Sequence, residues 1–174
     1  MKPVARILAA AVLAASFVPA FAKPVPDIHF KDLAGHTQKL ADLRGSITVV
    51  TFWATWCTPC QDELPKLSQL RQEYAAKGIR FVAISIDEQK DYKKIEPFLH
   101  KQNINLDVWT GGDADTLARL HLGDEVPATI ILDKNGEPAG RVLGEAHPED
   151  IGIYLDWLLD NRSGEAPQPV IKRY

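Results

Sequence analysis

Both cysteines of this 174-residue chain lie in one short stretch, TFWATWCTPCQDELP, residues 51 to 65. Cys57 and Cys60 are three apart, with Thr58 and Pro59 between them and Trp53 and Trp56 ahead of them. At the start of a helix this spacing puts Cys60 one turn after Cys57 on the same face, which permits a disulfide without dragging the backbone. Unpaired N–H groups and the dipole at a helix N-terminus favour the Cys57 thiolate, while Cys60, sheltered behind it, keeps its proton longer. That asymmetry suits thiol–disulfide exchange. Cys57 attacks the disulfide of a partner, and Cys60 then displaces the mixed intermediate.

Other uses of two sulfurs fit less well. A purely structural disulfide closing so small a ring gains only about 2 kcal/mol, and a chain of this length can build a core without a staple. A structural zinc site needs four ligands, and His29, His36, His100, His121 and His147 show no paired spacing to complete one. Trp53 continues an apolar run and reads as core; Trp56, next to the first cysteine, reads as a wall of the site.

The elements around the pair alternate. ITVVTFWA (47–54) and IRFVAISI (79–86) are β-branched, continuously apolar runs, the pattern of strands buried on both faces. Between them, Leu64, Leu67, Leu70 and Tyr74 mark a helix from Cys57 to about Lys77. It carries Pro59 in its first turn and Pro65 as a kink, and Gly78 stops it. A hairpin is expected over 29–40 with Gly35 at its turn. Further on, a helix over 91–104 broken at Pro97 and a short strand over 106–110 are expected. A helix over 113–122 follows, capped by Asp113 or Asp115. A second hairpin turns at Lys134-Asn135-Gly136, and a helix over 148–161 closes the fold. This order predicts an α/β fold, a mixed central sheet with helices on both faces.

Composition sets the outer bounds. The net charge is −3 with 45% hydrophobic residues and no basic run, which argues against a nucleic-acid partner. Residues 1–22 read as a secretory signal peptide: Lys2 and Arg6, an apolar stretch from Ile7 to Val18, then Ala20-Phe21-Ala22. The apolar run is shorter than a spanning helix needs, so cleavage and no lasting membrane insertion are expected, with an uncleaved anchor as the alternative. No cysteine follows for a lipid anchor and no twin arginine appears, so the general secretory route into the periplasm is expected. Residues 23–162 are expected to form the folded domain. Residues 163–174, SGEAPQPVIKRY, have the composition of a flexible tail.

FWATWCTPC before a helix, with VPATIILD about seventy residues on, resembles thioredoxin. More closely, the chain is similar to the secreted thioredoxin-like reductases of the TlpA/ResA/CcmG group, over roughly residues 28 to 160. The resemblance implies a thioredoxin fold with an N-terminal β-hairpin extension and one insertion after the second core strand, at residues 88–105. It implies a protein-disulfide reductase whose catalytic residues include Cys57 and Cys60. A cis Val126–Pro127 bond is expected to face the disulfide, with the Val126 backbone pairing with a client segment. Trp56, Thr58, Pro59 and Gly144 would complete the client-binding groove. The redox pair would be the only redox group, without a separate cofactor or metal.

Two departures from thioredoxin itself stand out. Thr51 occupies the place of its buried aspartate, and Ala83 that of the lysine partner. The secreted reductases carry an acid after the second strand instead. In AISIDEQK the match is Glu88, with Asp87 beside it, and the resemblance gives it the proton traffic of Cys60. Thr58-Pro59 offers no charge to favour the thiolate, unlike the histidine of strongly oxidising relatives of this fold, so the dithiol is expected to be a reductant. A periplasmic reductant must be recharged, and the resemblance implies a membrane electron donor of the DsbD/CcdA type. Its clients would be protein thiols and disulfides, those of apocytochrome c in cytochrome c biogenesis or of a copper-site assembly protein. A copper-binding assembly factor using His147 and a disulfide-forming oxidant remain as alternatives. A thiol peroxidase would need a threonine at position 54, where this chain has Ala54.

Overall fold

The computed structural model describes residues 23–173; the expected signal peptide lies outside the described residues. Eight strands form one mixed sheet in the order β2-β1-β5-β4-β3-β6-β7-β8. Its centre is β3 (Thr48–Trp53), buried at every position, as its unbroken β-branched and aromatic run requires. β3 runs parallel to β4 (Arg80–Ser85) and antiparallel to β6 (Ala128–Leu132). β5 (Asp107–Thr110) lies parallel to β4, and on its far side the hairpin of β1 (His29–Asp32) and β2 (Thr37–Lys39) pairs through β1. β7 (Pro138–Gly144) returns from β6 through a turn in which Asp133 Oδ1 accepts from the N–H groups of Asn135 and Glu137.

Side-chain alternation along β3 divides the core. Val50 and Phe52 face one side, where they meet Phe30, Trp109 and Leu117 of α3 (Ala114–Arg119). Val49 and Trp53 face the other, beneath α1 (Thr58–Tyr74), α2 (Ile95–Lys101) and α4 (Pro148–Leu159). Helices therefore cover both faces, and the hairpin extension and the insertion containing α2 stand where the resemblance puts them.

α1 carries Pro65 within its length. Two elements depart from the sequence reading. The segment after β4 is a 3-10 stretch, Gln89–Lys94, followed by α2, so Pro97 lies in the first turn of a helix and interrupts nothing. The largest difference is the tail. Residues 170–173 form β8, parallel to β7 and paired along Arg141–Gly144, although the polar, proline-containing composition of 163–174 suggested a flexible end. The pairing of VIKR with an otherwise open strand edge, together with side-chain anchors, outweighs that local composition.

Candidate active site

The tight turn from β3 into α1 carries the sulfurs. Cys57 is the N-cap of α1, and its Sγ accepts from the Cys60 N–H at 3.2 Å. Cys57 and Cys60 are joined by a disulfide with Cα atoms 5.3 Å apart. Cys60 is fully buried and Cys57 is 5% exposed, so the first sulfur is the reachable one. Thr58 and Pro59 are exposed beside it. Trp53 is fully buried against Phe98, with ring centroids 5.3 Å apart, whereas Trp56 is 64% exposed and stands at the rim.

The turn is held at Thr55 from two sides. The Asp87 carboxylate, buried at the end of β4, accepts from the Thr55 N–H at 3.0 Å and from its hydroxyl at 2.7 Å. It also accepts from the Ser85 hydroxyl at 2.8 Å. The Thr55 carbonyl accepts from Gln61 Nε2 at 2.8 Å. Both backbone polar groups of Thr55 are thus held, the N–H by the segment after β4 and the carbonyl by α1.

Across from the sulfurs, Val126–Pro127 is a cis peptide bond. The Val126 carbonyl oxygen lies 3.4 Å from Cys57 Sγ. A disulfide sulfur has no proton to donate, so this approach becomes a hydrogen bond only when Cys57 is a thiol. The Gly144 N–H donates to the Pro127 carbonyl at 3.0 Å, tying the proline loop to the end of β7. Between these elements opens a groove of about 380 Å³ lined by Pro59, Glu125, Val126, Pro127, Gly144, Glu145 and Arg173. Cys57, Pro59, Val126, Pro127 and Gly144 are brought together. Trp56 and Thr58 flank the same turn outside the groove lining.

Residues 21–137 match the AhpC/TSA family. A thiol-disulfide oxidoreductase ResA from Geobacillus kaustophilus is 31% identical over 131 residues, covering 75% of this chain and 74% of the relative. The chain belongs to the AhpC/TSA family, among the ResA-like thiol-disulfide oxidoreductases. A ResA from Bacillus cereus is 28% identical over 133 residues, 76% of this chain and 75% of that one. A solved structure from Chlorobium tepidum, described as a candidate thiol:disulfide interchange protein DsbE, superposes with a TM-score of 0.70 at 26% identity. It covers 80% of this chain and 97% of its own. As a ResA-like enzyme, the protein is a thiol-disulfide oxidoreductase with Cys57 and Cys60 as its redox pair.

Glu88 is not brought to the disulfide of this oxidoreductase. Its side chain is 74% exposed and pairs with Lys90 at 2.7 Å, because the chain leaves β4 there and turns outwards. The neighbouring Asp87 points inwards but serves the Thr55 turn. A second buried carboxylate, which the sequence reading missed, is that of Glu63. Glu63 follows Cys60 by one turn on the buried face of α1 and has no exposed surface. Its Oε1 accepts from the Thr51 hydroxyl at 2.7 Å and its Oε2 from the Ala146 N–H at 2.6 Å. Burial pushes its carboxyl up to about 7, against the pull of those two donors. The signal was present: positions 60, 63, 64, 67, 70 and 74 form the buried stripe of α1, and a glutamate stands in it.

Among the described residues, no three His, Cys, Asp or Glu side chains are grouped as metal ligands would be. His147 is the exposed N-cap residue of α4. No described helix is long and apolar enough to cross a membrane.

Proposed function

We propose that this oxidoreductase is a periplasmic reductant of client disulfides, exported by the signal peptide read in residues 1–22. The observation that carries the reading is the placement of a reachable Cys57 at a helix N-terminus, over an uncharged Thr58-Pro59 turn and beside the Val126 backbone. Nothing between the cysteines specifically stabilises the dithiol form, so the pair gives up electrons more readily than an oxidant's would.

In the reduced enzyme the Cys57 thiolate attacks one sulfur of the client disulfide. A Cys57–client bond forms, the client S–S bond breaks, and the leaving sulfur departs as a thiolate that takes a proton from water. Cys60 then passes its proton to the buried Glu63 carboxylate and attacks the Cys57 sulfur. The Cys57–Cys60 bond forms and the client's second thiolate leaves. Two electrons pass to the client, and the enzyme is left oxidised. A dithiol donor on the membrane, of the DsbD/CcdA type, would restore it. Clients in cytochrome c maturation or copper-site assembly suit a reductant in an oxidising compartment.

Trapping tests the sequence of steps. Cys60→Ser should accumulate a stable mixed disulfide with a peptide disulfide through Cys57. Cys57→Ser should neither form the adduct nor turn over. An adduct formed through Cys60 in the Cys57→Ser protein, at a rate matching the other variant, would contradict the assignment.

A further inference from the structure

The docked strand β8 is a built feature of the molecule, anchored by residues in two other elements, β7 and α4. Gly140 in β7 leaves room for the Tyr154 ring, which a Cβ at that position would overlap. The Tyr154 hydroxyl, so placed, donates to the Gln168 carbonyl at 2.5 Å. The Arg141 N–H donates to the Pro169 carbonyl at 3.1 Å. At the far end Gly144 has φ +93°, and a Cβ there would fall on the carbonyl oxygen of Arg173. Asp150, in the first turn of α4 with its side chain only 7% exposed, accepts from Arg173 Nε at 3.0 Å and Nη2 at 2.6 Å.

This docking makes Arg173 part of the lining of the groove that runs past Val126 and Pro127. Asp150 takes Nε and Nη2, which leaves Nη1 and its two N–H donors outside the ion pair. The character of the donor follows from its surroundings. Asp150 compensates the guanidinium charge, and Glu125 and Glu145 also line the groove. Lys66 compensates Glu145 at 2.6 Å, whereas Glu125 is exposed at the rim. An acidic client side chain would therefore meet carboxylates with little net positive charge to attract it. A neutral acceptor fits better: the backbone carbonyl of an extended polypeptide.

We propose that Arg173 is a client-specificity residue, held by Asp150 at the end of β8 so that its Nη1 edge, unpaired among the described residues, binds a main-chain carbonyl of the client segment lying along Val126. The client is then gripped through its backbone at both ends of the groove, by Val126 beside the reacting sulfur and by Arg173 beyond Gly144. The oxidoreductase would thereby favour extended polypeptide disulfides over small ones, with little regard to their side chains. The inference rests on the reductase reading of the same site.

The test compares kcat/KM of the full chain for a neutral peptide disulfide with kcat/KM for hydroxyethyl disulfide. In Arg173→Ala the ratio of the two should fall roughly tenfold, the loss of one hydrogen bond to a charged donor, and it should appear in KM. The same fall is expected with peptides carrying Glu, Gln or Lys beside the cysteine. Arg173→Lys, which keeps a cation but loses the fork held by Asp150, should recover little of it. Amide exchange of residues 170–172 checks that β8 stays docked; if it undocks in Arg173→Ala, the Arg173→Lys ratio decides. An unchanged ratio in both variants overturns the proposal, as does a loss confined to the Glu peptide, which would make the ligand a carboxylate. The reductase reading fails separately, if the wild-type dithiol reduces neither disulfide.

Discussion

The Thr51 hydroxyl donates to the Glu63 carboxylate at 2.7 Å, joining the centre of β3 to the buried face of α1. Thr51 and Glu63 are both buried, so the acid of this pair stands on the helix and the hydroxyl on the strand. The Thr51 hydroxyl is one of two donors to the carboxylate, the Ala146 N–H being the other. Glu63 follows Cys60 by one turn of α1, and the mechanism proposed above makes it the acceptor of the Cys60 proton.

The pH dependence of stability should carry the mark of Glu63. Its carboxyl ionises near 4.5 in the unfolded chain and near 7 in the fold. Below 4.5 both states hold the proton and the group has no effect. Between 4.5 and 7 only the folded state holds it, so stability falls with rising pH and then levels off. The total loss is on the order of 3 kcal/mol. Glu63→Gln should flatten this slope in urea titrations at pH 5 and pH 8. The slope persisting unchanged in the variant would assign it to another group.

The same substitution should slow resolution of the mixed disulfide by about a hundredfold at pH 7, the usual size of a general-base contribution. Single-turnover release of a client thiol reads this directly. Glu88→Gln, at an exposed side chain paired with Lys90, should leave that rate within about twofold and stability within about 0.5 kcal/mol.

Asp87 should matter for a different reason. Asp87→Ala would leave the Thr55 N–H, the Thr55 hydroxyl and the Ser85 hydroxyl without their acceptor at a largely buried site. A loss on the order of 3 kcal/mol is expected by urea unfolding. Trp56, one residue after the clamp, should show lower steady-state fluorescence anisotropy. Asp87→Asn, which keeps one acceptor oxygen, should fall between the two.

Gly144→Ala tests the seating of the last strand. The new side chain must adopt φ +93° and displace the Arg173 carbonyl, at a cost of about 1–3 kcal/mol. Amides of Val170–Lys172 should lose exchange protection, while those of β3 and β4 keep theirs.

Most of this architecture was legible because local signals and tertiary demands agreed. The runs at 47–54 and 79–86 are too apolar to lie anywhere but the sheet centre, and the stripe from Leu64 to Tyr74 needs a core beneath it. Cys57 and Cys60 stood out by their spacing, and Trp53 and Trp56 by their neighbours. The misses share a cause: each depends on partners distant in sequence. Glu63 is fixed by Thr51 and Ala146, twelve and eighty-three residues away, and reads on its own as one more helix glutamate. Glu88 and Asp87 are adjacent acids that only the path of the chain beyond β4 distinguishes. β8 looked like a polar tail because its anchors, Tyr154 and Asp150, are in α4. Two glycines inside PAGRVLG were the available hint, since a glycine within a strand often marks close approach by another backbone.

The direction of electron flow is the central claim, and the reduction potential of the Cys57–Cys60 couple tests it most directly. The protein would be equilibrated in defined thiol/disulfide buffers, with the exposed Trp56 reporting the switch by fluorescence. The account predicts a value near or below about −270 mV, that of a reductant needing a dedicated donor. A value near about −120 mV would contradict it and make the protein an oxidant of its clients.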